Sequence, residues 1–231
     1  MFFFHAWRTR RIQRLLPAVA DSLPDPPPSL LRELTSAWGN KIFAADFGYL
    51  QEVVRHAAAT PGPILECGCG LTTLLLGMIA DRHGKQVWSL EHLPKWHARV
   101  GQVLERCGIQ SVRLLLTPLR DFGGYSWYDV PRTGLPGRFS LVICDGPPGR
   151  TRGGRYGLLP QMKLYLDADT VILLDDAARE GDRQVLDRWV ADFGVQFNLQ
   201  PTNKDGLAVV RLPSASAQAA ATFPISVSKS H

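Results

Sequence analysis

Four short segments of the chain place acids and glycines where a ligand could be held. Ile64-Leu65-Glu66-Cys67-Gly68-Cys69-Gly70-Leu71-Thr72-Thr73 reads as a strand ending in an acid, then a Gly-x-Gly turn opening a helix. Glycines at such a turn let the backbone bend sharply and approach a ligand without a Cβ clash. A pyrophosphate-binding fingerprint would want a third glycine at position 73, where Thr73 stands, and an acid at the strand end repels phosphates. The segment suits a cationic or hydroxyl-rich ligand instead. Ser89-Leu90-Glu91-His92 ends a second strand in an acid, 25 positions after Glu66. A carboxylate there can grip both hydroxyls of a ribose. Together the two segments fit a nucleoside with no essential phosphate. Asp145-Gly146-Pro147-Pro148-Gly149 and Leu173-Leu174-Asp175-Asp176 end two further strands. Carboxylates of Asp145, Asp175 and Asp176 on neighbouring strand ends can converge as oxygen ligands for a hard cation such as Mg²⁺ or Mn²⁺, or be offset by Arg179 or Arg155, with Asp176 capping the next helix. His92 and His97 are candidate bases.

The elements that must position these residues alternate along the chain. Strands are expected over 64–66, 87–90, 112–116, 139–144 and 170–174. Helices are expected over 71–82, 94–106 and 181–193, with a short one near 160–166. Residues 195–199 and 207–212 read as a closing hairpin around a turn at 203–206. The pattern predicts an α/β fold: a doubly wound, Rossmann-like, mostly parallel seven-stranded sheet with an antiparallel C-terminal hairpin. Ligands of such sheets bind at the carboxyl ends of the strands, near the topological switch point. The acids Glu66, Glu91, Asp145, Asp175 and Asp176 all fall at strand carboxyl ends. Residues 117–138, rich in Gly, Tyr and Pro, read as one long loop. Residues 29–59 read as helical, with Phe43, Phe47, Leu50, Val53 and Val54 at 3–4 spacing. The expected organisation is a basic N-terminal arm and Pro-rich linker over 1–28, the main domain with an N-terminal helical extension over 29–212, and a disordered Ala/Ser-rich tail over 213–231.

Composition narrows the classes further. The chain has 231 residues, 45% hydrophobic and 20% charged, as expected for one substantial globular domain with extensions. The longest apolar run, residues 71–80, is too short to span a membrane. Met1-Phe2-Phe3-Phe4 is apolar before it is basic, the reverse of a secretory signal. Cys67, Cys69, Cys107 and Cys144 have no Cys-x-x-Cys spacing. A reducing, cytoplasmic setting therefore fits better than a disulfide framework or a zinc site. Of the net charge of +5, four charges come from Arg8, Arg10, Arg11 and Arg14, so the body is nearly neutral. The basic arm could touch an anionic surface or be a solvated helix face.

Glu66-x-Gly68-x-Gly70, Glu91 and the closing hairpin together resemble the class I S-adenosylmethionine-dependent methyltransferases, from about Trp38 to Leu212. The resemblance implies S-adenosyl-L-methionine as cofactor, held by Glu66, Cys67, Gly68, Cys69, Gly70, Thr72, Thr73, Glu91, His92, Pro118, Leu119 and Asp145. Glu66, Gly68 and Gly70 would line its methionine part, Thr72 and Thr73 would meet the methionine carboxylate, and Glu91 would take the ribose. Residues 117–119 would meet the adenine, with Asp121 as an amine acceptor. Asp145-Gly146-Pro147-Pro148 superficially resembles the Asp-Pro-Pro-aromatic motif of amino-methylating nucleic-acid enzymes. The inserted Gly146 and the missing aromatic argue against a flipped base as substrate. Asp145 with Asp175 and Asp176 is similar to the metal site of O-methyltransferases of the catechol and sugar type, in which the metal lowers the pKa of the acceptor hydroxyl. The implied catalytic residues are Asp145, Asp175 and His92. Arg150, Arg152 and Arg155 at the mouth point to an acceptor carrying carboxylate or phosphate. The aromatics of residues 125–128 could roof a sugar or aromatic acceptor, or merely cover the sheet edge. The expected reaction is O-methylation of a small-molecule or glycan hydroxyl, with no nucleic acid as partner and the oligomeric state open. Two alternatives remain: an aminopropyltransferase similar to spermidine synthase, and a non-catalytic binding module of the same fold with the basic arm as its contact.

Overall fold

The computed structural model describes residues 6–39 and 46–214. The sequence readings at Met1–Phe4, at Phe43 and in the tail beyond residue 214 lie outside the described residues.

Three helices come first: α1 (Ala6–Asp21), α2 (Pro28–Trp38) and α3 (Phe47–Ala59). Then β1 (Ile64–Cys67), α4 (Leu71–His83), β2 (Val87–Glu91), α5 (Pro94–Arg106) and β3 (Val112–Leu116) alternate. A small hairpin, β4 (Leu119–Asp121) and β5 (Ser126–Tyr128), precedes β6 (Leu141–Cys144), α6 (Leu158–Met162) and β7 (Val171–Asp175). The last described elements are α7 (Glu180–Phe193), β8 (Gln196–Gln200) and β9 (Leu207–Arg211). The seven-stranded sheet has the order β3-β2-β1-β6-β7-β9-β8. Strands β3, β2, β1, β6 and β7 are parallel, and the β8–β9 hairpin adds two antiparallel strands beside β7. The order reverses between β1 and β6, so the crevice for a ligand opens there.

Every residue of β1, β2 and β6 is buried, because helices or hairpin cover both faces of the sheet. Alternate residues serve opposite faces. Ile64, Val87, Leu141, Ile143 and Leu173 pack with the apolar faces of α1 to α5. Leu65, Leu90, Val142, Cys144, Ile172 and Leu174 pack with Trp127, Tyr128, Leu158, Leu159 and Trp189 on the other side.

Two sequence expectations change here. Residues 29–59 do not form one helical stretch: α2 stops at Gly39, which takes the left-handed conformation (φ 72°) open to glycine and donates its N–H to the Thr35 carbonyl. Helix α3 starts afresh at Asp46, whose carboxylate accepts the Gly48 N–H at 3.1 Å. Nor are residues 117–138 a featureless loop, since Leu119 pairs with Tyr128 and Asp121 with Ser126 in the β4–β5 hairpin. Strands of three residues are too short to show a period of two. Other boundaries fall within a residue or two of those read from the sequence, except that the short helix expected near 160–166 is α6 at 158–162 followed by a 3-10 turn over 163–165.

The basic segment read as an arm is well tied down. Ile12, Leu16 and Val19 on α1 are buried in the same cluster as Leu31, Leu34 and Leu75. Its arginines point outward or pair locally, as Arg11 does with Glu33 at 2.9 Å. Among the described residues no helix is long and apolar enough to cross a membrane. The four cysteines are free thiols. Because Ile12 is fully buried, Ile12→Ala should cost about 2–5 kcal/mol in urea unfolding. A change under about 0.5 kcal/mol would mean that α1 is only loosely docked on the core.

Candidate functional site

At the crevice, Glu66 is fully buried. Its Oε1 accepts the Thr72 hydroxyl at 2.5 Å, and its Oε2 accepts Thr73 at 2.7 Å and Ser89 at 2.5 Å. The Thr73 hydroxyl in turn accepts the Gly70 N–H at 2.7 Å, closing the first turn of α4. One carboxylate thus joins β1, β2 and the start of α4. Burial pushes the Glu66 carboxyl up to about 7, against the lowering effect of its three hydroxyl donors.

The glycine turn lies above this carboxylate. Gly68 has φ 90°, and a Cβ built there would stand 3.0 Å from the Gly146 nitrogen. The two backbones also lock through the Cys67 carbonyl, which accepts the N–H groups of Asp145 (3.1 Å) and Gly146 (2.6 Å). Gly146 therefore packs directly on Gly68, which gives the glycine after Asp145 a structural reason.

The described residues enclose a cavity of about 840 Å³ along this seam. On one side it is lined by Gly68, Cys69, Gly70, Thr72, Glu91 and His92. On the other stand Asp145, Gly146, Arg150, Arg155, Asp175 and Asp176. Glu91 is almost fully buried and its Oε1 accepts the His92 and Leu93 N–H groups, each at 2.7 Å. Its Oε2 has only the longer contacts at 3.4 Å from the nitrogen and the thiol of Cys69. It is the less tightly held of the two oxygens. Nδ1 of His92 lies 3.1 Å from Glu91 Oε1.

The structure therefore brings together Gly68, Cys69, Gly70, Thr72, Glu91, His92, Asp145, Asp175 and Asp176 at one cavity. It leaves Glu66, Cys67, Thr73, Pro118 and Leu119 off the cavity wall. The hydroxyls of Thr72 and Thr73 both donate to Glu66, so they serve the turn. Pro118 is exposed and Leu119 belongs to the hairpin. Asp121 also turns away, accepting the Gly123 N–H and pairing with Arg152 at 3.0 Å. His97 is bound to the Leu114 carbonyl at 3.2 Å. Of the three loop arginines, Arg150 and Arg155 line the cavity and Arg152 does not.

Sequence reasoning missed two residues of the cavity wall. Trp96 and Arg99, on α5, form a wall, with Trp96 Nε1 donating to the Cys69 carbonyl at 2.6 Å. The Tyr128 hydroxyl is buried, lines the cavity and has no protein partner. The pairing of Leu119 with Tyr128 carries it there, out of the aromatic run over residues 125–128. Arg155 is buried among acids: its side chain meets Asp145, Asp176 and Asp182. Burial raises the Asp145, Asp175 and Asp182 carboxyls above their ordinary range. Neighbouring carboxylates push in the same direction, and Arg155 works against it.

No protein-family profile and no curated protein matches the chain. Solved structures do. An SAH-bound methyltransferase of Podospora anserina is 19% identical with a TM-score of 0.58, over 93% of this chain and 99% of that one. A methyltransferase from Geobacter sulfurreducens is 14% identical with a TM-score of 0.54, over 87% and 97%. A putative O-methyltransferase from Klebsiella pneumoniae is 18% identical with a TM-score of 0.50, over 90% and 100%. The fold is that of the class I methyltransferases, closing hairpin included.

The buried Glu66 has a pH signature. Its folded pKa, about 7, lies above the ordinary carboxylate value of 4.5, so the folded chain holds a proton that the unfolded chain releases. That contribution to stability is complete below about pH 4.5 and is lost as the pH rises through about 7. Glu66→Gln removes the titration. Relative to the parent, the variant should gain stability as the pH rises across that window and level off above it, read from urea unfolding at a series of pH values. Parallel curves for the two proteins would mean that Glu66 ionises as if in water.

Proposed function

We propose that this chain transfers the methyl group of S-adenosyl-L-methionine to a hydroxyl of a small-molecule or glycan acceptor. The observation that carries the reading is the single cavity between the Gly68–Gly70 turn with Glu91 on one side and Asp145 with Asp175 on the other. The residues fit an adenosyl ligand. Glu91 offers a buried oxygen without a strong protein donor, suited to ribose hydroxyls. Gly70 presents bare backbone to the cavity, with nothing within 4 Å of where a Cβ would stand, and Tyr128 offers an unpartnered donor. When bound, the cofactor supplies a sulfonium-activated methyl group.

The rest of the work falls to the chain. The Glu66 network holds the turn and the start of α4 still, so alignment is built before binding. Leu93, Trp96 and Tyr128 help keep water from the seam. Asp145 lines the same cavity with Oδ1 on Arg155 and Oδ2 without a protein donor, and it is the group placed to take the acceptor proton. Arg150 at the exposed rim suits an acceptor with an anionic group. His92, beside Glu91, belongs to the cofactor end.

Calorimetry tests the cofactor half. S-adenosyl-L-methionine should bind, and Glu91→Ala should weaken it about tenfold or more, from the loss of a contact worth roughly 1–3 kcal/mol. Superimposable titrations would remove Glu91 from the site. A screen of hydroxylated acceptors with methyl-labelled cofactor tests the other half. Binding without any labelled product would favour the non-catalytic reading.

A further inference from the structure

The three carboxylates expected to hold a divalent cation do converge: one oxygen from each of Asp145, Asp175 and Asp176 lies within 4.8 Å of the others. A cation already stands among them. Arg155 is 2% exposed. Its Nη2 lies 3.3 Å from Asp145 Oδ1 and 3.1 Å from Asp176 Oδ2, and it donates to the Asp145 carbonyl at 2.6 Å. Its Nη1 donates to the Asp175 carbonyl and to Asp182 Oδ1, each at 2.9 Å. One guanidinium fork spans the ends of β6 and β7 and the first turn of α7, a geometry a compact ammonium cannot copy. Arg179 adds a second positive charge on Asp176 Oδ2 at 2.7 Å.

The donor set does not fit a metal. One oxygen of each of the three carboxylates is committed to a protein donor: Asp145 Oδ1 to Arg155, Asp175 Oδ1 to the Asp176 N–H at 2.8 Å, and Asp176 Oδ2 to both arginines. Mg²⁺ or Mn²⁺ would need near-octahedral oxygens and would sit against a buried guanidinium of like charge. Asp176 is also the one non-glycine among the described residues with positive φ (58°), a conformation that turns its carboxylate to the two arginines.

We propose that the Arg155 guanidinium takes the place that a divalent cation holds in metal-dependent enzymes of this fold, and that this chain binds no divalent metal at its active site. Arg155 is a positioning residue: it fixes Asp145 through both its carboxylate and its carbonyl, leaving the other carboxylate oxygen to the cavity. The inference rests on the proposed methyl-transfer site for its meaning, but metal binding is measured without turnover.

The test is a Mn²⁺ titration followed by electron paramagnetic resonance, on the full chain with and without S-adenosylhomocysteine. The parent should show no site at micromolar to low millimolar Mn²⁺. Arg155→Met leaves the acids without their main cation, and should gain at least tenfold in Mn²⁺ affinity. Arg155→Lys, which keeps the charge, should stay like the parent. One Mn²⁺ bound per parent chain at micromolar concentration, and lost in Asp175→Asn, would overturn the proposal. A folded Arg155→Met that gains no affinity would overturn it too. If that variant does not fold, the parent titration decides alone. Failure of S-adenosylhomocysteine to bind the same samples would strike the proposed function and leave the Mn²⁺ result to decide this inference.

Discussion

The site depends first on a carboxylate sealed inside the protein. Glu66 sits at the end of β1 with three hydroxyls donating to it, one from β2 and two from the first turn of α4. A buried carboxyl without such partners would be strongly destabilising. With them, strand, neighbouring strand and helix are held in one arrangement. The Gly68–Gly70 turn inherits its shape from that arrangement, and the cavity inherits its floor from the turn. Glu66, read from the sequence as lining a ligand, lies behind the turn and off the cavity wall.

Across the switch point a second buried charge plays the matching part. Arg155 ties the ends of β6 and β7 to the start of α7, as Glu66 ties β1, β2 and α4. The two halves meet where Gly68 packs on Gly146. The hydroxyl-bonded Glu66 carboxyl on one side and the clamped Arg155 guanidinium on the other leave Glu91 and Asp145 facing one cavity. That division suits a reaction in which a nucleoside is gripped at one end and an acceptor is deprotonated at the other.

Much of this was legible in the sequence. The alternating strands and helices, the closing hairpin, and acids at four strand ends followed from periodicity and from the place of Glu66, Glu91, Asp145 and Asp175 after apolar runs. What was hidden depends on contacts between elements distant in sequence. The inward turn of Glu66 needs Ser89, 23 residues away, and the partners of Arg155 include Asp182, 27 residues away. Trp96 and Arg99 face the cavity because of how α5 leaves β2, which no local spacing reveals. Tyr128 reaches it only because a hairpin of two three-residue strands forms in a segment that looks irregular. The break at Gly39 escaped because the residues on either side of it continue an apolar helical pattern.

A crystal structure with S-adenosylhomocysteine tests the central claim most directly. The account predicts density within the cavity, with the ribose hydroxyls on Glu91, the thioether directed toward Asp145, and the Glu66 hydroxyl network unchanged. A ligand bound elsewhere, or one that enters only by displacing Glu66 from Thr72, Thr73 and Ser89, would contradict it.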